Sequence, residues 1–206
     1  MITRDVLFVV LLSTSYNLQY SFSIFIKENE LKEFLSTNDF IWTYNTSNKR
    51  DNHWCEVDVT ERLQEKSIVY KHSYYRKFPL KEKFSVMMQG VFKYPNNMIA
   101  STKGSKVQFK HHLTYLDSDK VCAVIRVSPM FSTTTKPWYE LRVQNWFLLK
   151  YRHPSITCEH YFNLHAKQGR LIYHPSCQKI IFKAHQTPQK TMPAQKPQLS
   201  FRNTSV

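Results

Sequence analysis

The sequence predicts an all-β fold, an antiparallel meander, sandwich or barrel. Three observations carry this. Segments rich in β-branched and aromatic residues recur along the chain, and charged or Pro/Asn/Gly-bearing turns separate them at regular intervals. The 206 residues are 42% hydrophobic and 15% aromatic, enough to pack one core. Glycine occurs only three times, which leaves no room for a collagen-like or glycine-loop architecture.

The elements follow in order. Val6–Leu12 is a short apolar run near the N-terminus. It has the length of a signal-peptide hydrophobic region and is far too short to span a bilayer. It lacks the alternation of a half-buried strand, which weighs against a first strand of a cytosolic protein. Small residues at Ser13, Ser15, Ser21 and Ser23 place cleavage between 15 and 23, so 1–23 reads as a signal peptide. Glu28–Thr37 reads as a short helix, because Leu31, Phe34 and Leu35 recur at helical spacing. Phe40–Asn45, Ser67–Tyr75, Glu82–Tyr94, Val107–Leu116, Val121–Val127 and Trp138–Tyr151 read as strands, and Asn48–Asn52 as a loop. Pro154–Lys167 reads as a helix stopping before Gly169, and Arg170–Tyr173 as one more short strand. Residues 24–182 then form the folded domain. Residues 183–206 read as a disordered basic tail, rich in proline and glutamine and without an acid.

The formal net charge is +14, which speaks to partners and solubility rather than to fold. Secretion makes disulfides the expected use of Cys55, Cys122, Cys158 and Cys177, whose spacing alone allows three connectivities. It also makes Asn45-Thr46-Ser47 and Asn203-Thr204-Ser205 glycan acceptor sequences. No metal is expected. There is no C-x2-C pair, and Cys158, His160 and His165 do not share one helical face. No G-x-S-x-G, phosphate loop or H-E-x-x-H occurs, so the chain reads as a non-enzyme without a cofactor.

Three stretches carry a resemblance. They are Leu31-Lys32-Glu33-Phe34-Leu35 with Ile41–Thr46 and Cys55–Asp58; Leu113–Asp117 with Cys122–Val127; and Tyr139–Val143 with Cys158, Ile172-Tyr173 and Cys177. In this order and with this cysteine spacing the chain resembles the tick salivary lipocalins of the histamine-binding protein family, over about residues 26 to 180. The resemblance implies an eight-stranded antiparallel lipocalin β-barrel with a short N-terminal and a C-terminal helix. It implies the pairings Cys55–Cys177 and Cys122–Cys158. It also implies a secreted scavenger, found in saliva, that sequesters histamine or serotonin and so blunts host defence. A closed barrel of this size holds one small ligand and leaves no open sheet edge. The competing immunoglobulin-like sandwich lacks its Cys–Trp–Cys spacing.

A cationic amine in a dry barrel needs a carboxylate and aromatic faces. The resemblance puts the carboxylate at Glu140 and ring contacts at Tyr44 and Phe109. Two positions depart from the amine motif: Ala123 stands where it has aspartate and Arg142 where it has an aromatic. Strand alternation puts Glu140 and Arg142 on one face, Trp42 and Tyr44 on another, and Phe109, His111, Leu113 and Tyr115 on a third. Phe84, Val86, Met88 and Phe92 offer an apolar wall. His111 reads as a satisfied or exposed histidine. Arg142 beside Glu140 would repel an amine and could hold a carboxylate, which gives an alternative ligand class of leukotriene, thromboxane or fatty acid.

A basic surface at Lys71, Arg76, Lys77, Lys81 and Lys83, with Lys103, Lys106 and Lys110, offers a further alternative, heparan sulfate or an acidic host protein. The expected state is a monomer with one small-molecule ligand, no nucleic acid and no membrane span.

Overall fold

The computed structural model describes residues 29–49, 52–76, 82–132 and 134–179. The expected signal peptide, the expected tail, Asn203, Lys77 and Lys81 lie outside the described residues.

Eight antiparallel strands form a closed ring: β1 Ile41–Thr46, β2 His53–Leu63, β3 Ser67–Arg76, β4 Glu82–Lys93, β5 Asn97–Thr102, β6 Gln108–Leu116, β7 Cys122–Pro129 and β8 Trp138–Gln144. Each pairs with the next, and β1 pairs with both β8 and β2, which closes the ring. A two-residue strand, β9 Arg170–Leu171, adds to β1 on the outside of this closure. Among the described residues three helices accompany the barrel: α1 Glu30–Leu35, α2 Asn145–Tyr151 and α3 Ile156–Ala166. A disulfide between Cys122 and Cys158 ties α3 to β7. None of the described cysteines is a free thiol. A short segment from Pro175 to Gln178 forms a 3-10 turn. Among the described residues no helix is long and apolar enough to cross a membrane.

The two ends of the barrel differ. At one end α1 turns Leu31, Phe34 and Leu35 inward, as their i, i+3, i+4 spacing requires. Asn29 caps this helix by accepting the Lys32 amide, and Glu30 exchanges hydrogen bonds with Asn96 of the β4–β5 turn. The three apolar side chains join Ile41, Ile68, Met98, Ala100, Ile125 and neighbours in one core cluster. Burying a side chain of this size contributes roughly 1.5–3 kcal/mol. Gly90 of β4 lies in this layer, and a Cβ there would run into Met98 Sδ and Ile68 Cγ2. The plug end is therefore dry and tightly filled. The other half of the barrel contains the cavity.

The structure corrects several sequence expectations. Trp138–Tyr151 is not one strand: it breaks at Gln144 into β8 and α2. The helix start is fixed from a distance, because the Trp146 amide donates to Asp39 Oδ2 at 2.7 Å. Two strands, β2 and β5, fall where the sequence pattern marks none. The first helix is shorter than Glu28–Thr37, spanning Glu30–Leu35 among the described residues. The helix expected at Pro154–Lys167 forms as α3, and the strand expected after Gly169 as β9.

Candidate functional site

All eight strands contribute side chains to one internal cavity of about 300 Å³. Its size sits at the lower end of small-molecule sites, which run from roughly 300 to 1,000 Å³. Val86, Met88, Phe109 and Val127 form an apolar wall, and Tyr74 and Trp138 add aromatic faces. Phe109 and Trp138 meet edge to face with ring centroids 6.0 Å apart. Across the barrel the wall is polar, carrying Glu56, His72, Glu140 and Arg142.

The polar wall is built around Arg142. Its Nε and one terminal nitrogen donate to Glu140 Oε2 at 2.9 and 2.7 Å, and the other terminal nitrogen donates to Asp58 Oδ2 at 2.9 Å. Alternation on β8 makes the first contact, since residues two apart share a face. The second comes from β2, which reaches β8 only through the short strand β1 that separates them in the ring. The remaining carboxylate oxygens are taken as well. Trp138 Nε1 donates to Glu140 Oε1 at 2.7 Å, and Asp58 Oδ1 lies 2.7 Å from His72 Nδ1. Arg142, Glu140 and Asp58 are each under a tenth exposed.

Burial alone would push both carboxyls up. Arg142 outweighs it at each: with His72 at Asp58, and with His111 and the Trp138 bond at Glu140, it holds both below the ordinary carboxylate range. Burial likewise opposes charge on the His72 ring, but the Asp58 charge and hydrogen bond overcome it and raise the pKa. His111 moves the other way: burial, reinforced by Arg142, lowers it to about 4, so its ring is neutral at physiological pH. Burial, followed by Asp58, raises the Tyr70 phenol.

Glu56 is the carboxylate that this network leaves partly free. Its Oε1 lies 3.1 Å from His53 Nδ1, and its second oxygen has no hydrogen-bond partner among the described residues. A register shift between Trp54 and Val57, with Cys55 at φ 55°, lets His53 and Glu56 meet although they are three residues apart on a strand. His53 in turn stacks on Tyr74 with centroids 3.7 Å apart.

Of the residues singled out in the sequence, Phe109, Glu140 and Arg142 line the cavity together. Trp42, Tyr44 and Tyr115 do not. Trp42 and Tyr44 do share a face of β1, but it is the outer one. There Trp42 packs edge-on against Tyr173 and bonds Asn145 Oδ1 through Nε1, and Tyr44 stacks on the same Tyr173 ring. Tyr115 leaves the inward face because a register shift between Leu113 and Tyr115 breaks the alternation of β6. Its ring stacks on Tyr161 of α3 at 3.9 Å. His111 is neither satisfied nor exposed: it is buried beside the cavity, and its enclosed Nδ1 has no hydrogen-bond partner among the described residues. Val86 and Met88 form part of the apolar wall as expected, while Phe92 belongs to the plug-end core and Phe84 stacks behind Tyr74.

Sequence reasoning did not single out Glu56, Asp58, His72 or Trp138 as site residues. The signal available was the two-residue spacing of Glu56 and Asp58, which puts both on one face of a strand. The chain's acid cluster Asp117, Cys122 and Cys158 brings metal-type ligands together, but both sulfurs are spent on the disulfide.

An eight-stranded closed antiparallel barrel, plugged by a helix at one end and hollow at the other, is the lipocalin fold. No family model matches this chain, and no curated protein does. Solved structures do. Japanin from Rhipicephalus appendiculatus, bound to cholesterol, is similar at a TM-score of 0.50 and 10% identity, over 66% of this chain and 92% of that one. A protein described as AM182, in complex with serotonin, is similar at a TM-score of 0.52 and 13% identity, over 72% of this chain and 91% of that one.

Proposed function

We propose that this chain is a stoichiometric binding protein that holds one small cationic amine in the barrel and performs no chemistry on it. The observation that carries the reading is the charge pattern of the polar wall. Three carboxylates, Glu56, Asp58 and Glu140, stand against one guanidinium, and that guanidinium already bonds two of them. An incoming carboxylate would find Arg142 already bonded to two carboxylates and would meet a net negative formal charge. An incoming ammonium finds the unbonded oxygen of Glu56. This assigns the counter-charge to Glu56, because Glu140 has both oxygens engaged. Aromatic faces at Tyr74, Phe109 and Trp138 suit the ring of an aryl amine. The compact cavity also suits such a ligand better than a long lipid chain.

Secretion, processing of residues 1–23, the Cys55–Cys177 bridge, the monomeric state and a role in removing host histamine or serotonin at a feeding site belong to the same proposal. The absence of a free thiol supports the oxidising compartment.

The experiment is isothermal titration of histamine and serotonin into the oxidised protein. One-to-one binding that Glu56→Gln weakens by tenfold or more (about 1.4 kcal/mol) supports the reading. Binding abolished by Glu140→Gln but untouched by Glu56→Gln would move the counter-charge back to β8. No amine binding, with uptake of leukotriene or fatty acid instead, would replace the amine with the anionic lipid class.

A further inference from the structure

We propose that the open end of the barrel is a docking surface for an anionic phospholipid bilayer. Two exposed apolar side chains enter the bilayer, and the lysines beside them meet its headgroups. The observations that carry this are independent of the amine reading.

Antiparallel order sends the β1–β2, β5–β6 and β7–β8 connections to the open end, away from α1. Two of them lift apolar side chains into solvent. Phe131, two residues past β7, is 87% exposed, and Val107, just before β6, is 57% exposed. Both line one recess at the barrel mouth, together with Pro129, Met130, Phe109 and Trp138. Phe131 also holds a left-handed backbone, φ 66°, which a bulky residue rarely adopts. Single exposed apolar residues are ordinary on a protein surface. A pair sharing one recess at two loop tips marks an interaction site.

The charge around the pair selects the partner. Among their described residues the three loops carry Lys49, Lys103, Lys106 and Lys136, all exposed, and no acid. A second recess shares Asn48, Thr135 and Trp138 with the first and adds Lys167, and no carboxylate lines either one. Glu82, at the mouth end of β4, stands opposite Arg76 in the ladder. At the closed end the signs mix instead: Glu65 precedes Lys66, and Lys120 bonds Glu33. Apolar tips among unopposed cations match a bilayer, which offers hydrocarbon beneath negative headgroups. Each lysine near such a surface strengthens attachment roughly fivefold. A sulfated polysaccharide would use the lysines but not Phe131 or Val107.

The test is co-sedimentation of the full chain with vesicles of phosphatidylcholine alone, or mixed two to one with phosphatidylserine. The mixed vesicles should bind at least tenfold more strongly, and high salt should weaken them. Phe131→Ser with Val107→Ser should lower that binding about tenfold without changing charge. Lys103→Glu, Lys106→Glu and Lys136→Glu together should reduce it to the phosphatidylcholine level. None of these five residues lines the internal cavity, so the thermal melts should match that of the intact protein. Ile156→Ser with Leu164→Ser on α3, where the residues are 79% and 61% exposed, should leave vesicle binding unchanged. Equal binding of the intact protein to both vesicle types overturns the proposal, and so does an equal loss in the α3 pair. Vesicle binding that survives Phe131→Ser with Val107→Ser also overturns it. Heparin retention in place of vesicle binding assigns the lysines to a sulfated polysaccharide and overturns it too.

Discussion

Ala123 and Arg142 are direct partners across the β7–β8 ladder. Residues so paired share a face, and here both face the interior. From β8 the guanidinium extends away from Ala123, past β1, to Asp58 on β2. That cation makes two buried carboxylates tolerable.

Arg142→Met should be strongly destabilising, because it leaves Asp58 and Glu140 buried without a counter-ion. Breaking a buried pair in this way costs about 3–5 kcal/mol. Adding Asp58→Asn and Glu140→Gln to the same chain should recover much of the loss. Urea denaturation of the single and triple variants measures both. Equal stability of Arg142→Met and the unmutated protein would show that the cluster is hydrated rather than dry.

Stability should fall as the pH drops from 6.5 towards about 4, with His111 as a named cause. The unfolded chain protonates this ring in that window and the folded chain does not, so protons favour unfolding by roughly 3 kcal/mol in total. His72 acts with the opposite sign. Its raised pKa means that its contribution is complete below the ordinary histidine value and fades as the pH rises through the folded value. Asp58 and Glu140 add a further loss only below the ordinary carboxylate range, where their lowered groups finally protonate. Urea midpoints across this range at fixed ionic strength should show a shallower acid limb in His111→Leu and a shallower alkaline limb in His72→Gln.

Gly90→Ala should destabilise the barrel by about 1–3 kcal/mol, the usual range for overpacking. The new Cβ would meet Ile68 Cγ2 at 2.8 Å and overlap the sulfur of Met98. Met98 is flexible and Ile68 is not, so Met98→Ala in the same chain should give back only part of the loss. Thermal melts of the two variants check this.

Asn45 should carry no glycan. Its backbone pairs with Leu141 on one side and Leu171 on the other, its Oδ1 is enclosed without a partner, and Thr46 of the sequon is buried. The Asn45 Oδ1 lies 2.6 Å from where a Cβ on Gly169 would stand. Peptide mapping of protein secreted from a glycosylating host would detect the modification if this packing were wrong.

The fold was legible where alternation and burial agree. The helical spacing of Leu31, Phe34 and Leu35 and the long strands β3, β4 and β6 could be read directly. β2 escaped because its inward face carries Glu56 and Asp58, which in a sequence look like solvent positions. β8 ran on into α2 because what ends the strand is the distant Asp39 taking the Trp146 amide. In the site, alternation correctly joined Glu140 to Arg142 and Phe109 to His111. It failed for Tyr115, where an irregularity in the β6–β7 register turns the side chain outward. It could not say which face of β1 points inward, so Trp42 and Tyr44 had to await the structure. Nor could it show that Arg142 was already occupied, since Asp58 lies 84 residues away.

The seam at β1 governs how this molecule acquires its cavity in time. Ile41–Thr46 pairs with β2 close by in sequence, but also with β8, where Trp42 opposes Val143. The second pairing joins residues on the order of 100 positions apart, the kind of non-local contact that slows folding to milliseconds or seconds. Until that seam zips there is a curled sheet and no enclosed chamber, so affinity arrives in one step with the last strand pairing. The same seam then acts as a latch. On the proposed function, an occupant inside would stabilise only the zipped form, so its residence would lengthen as unzipping slows.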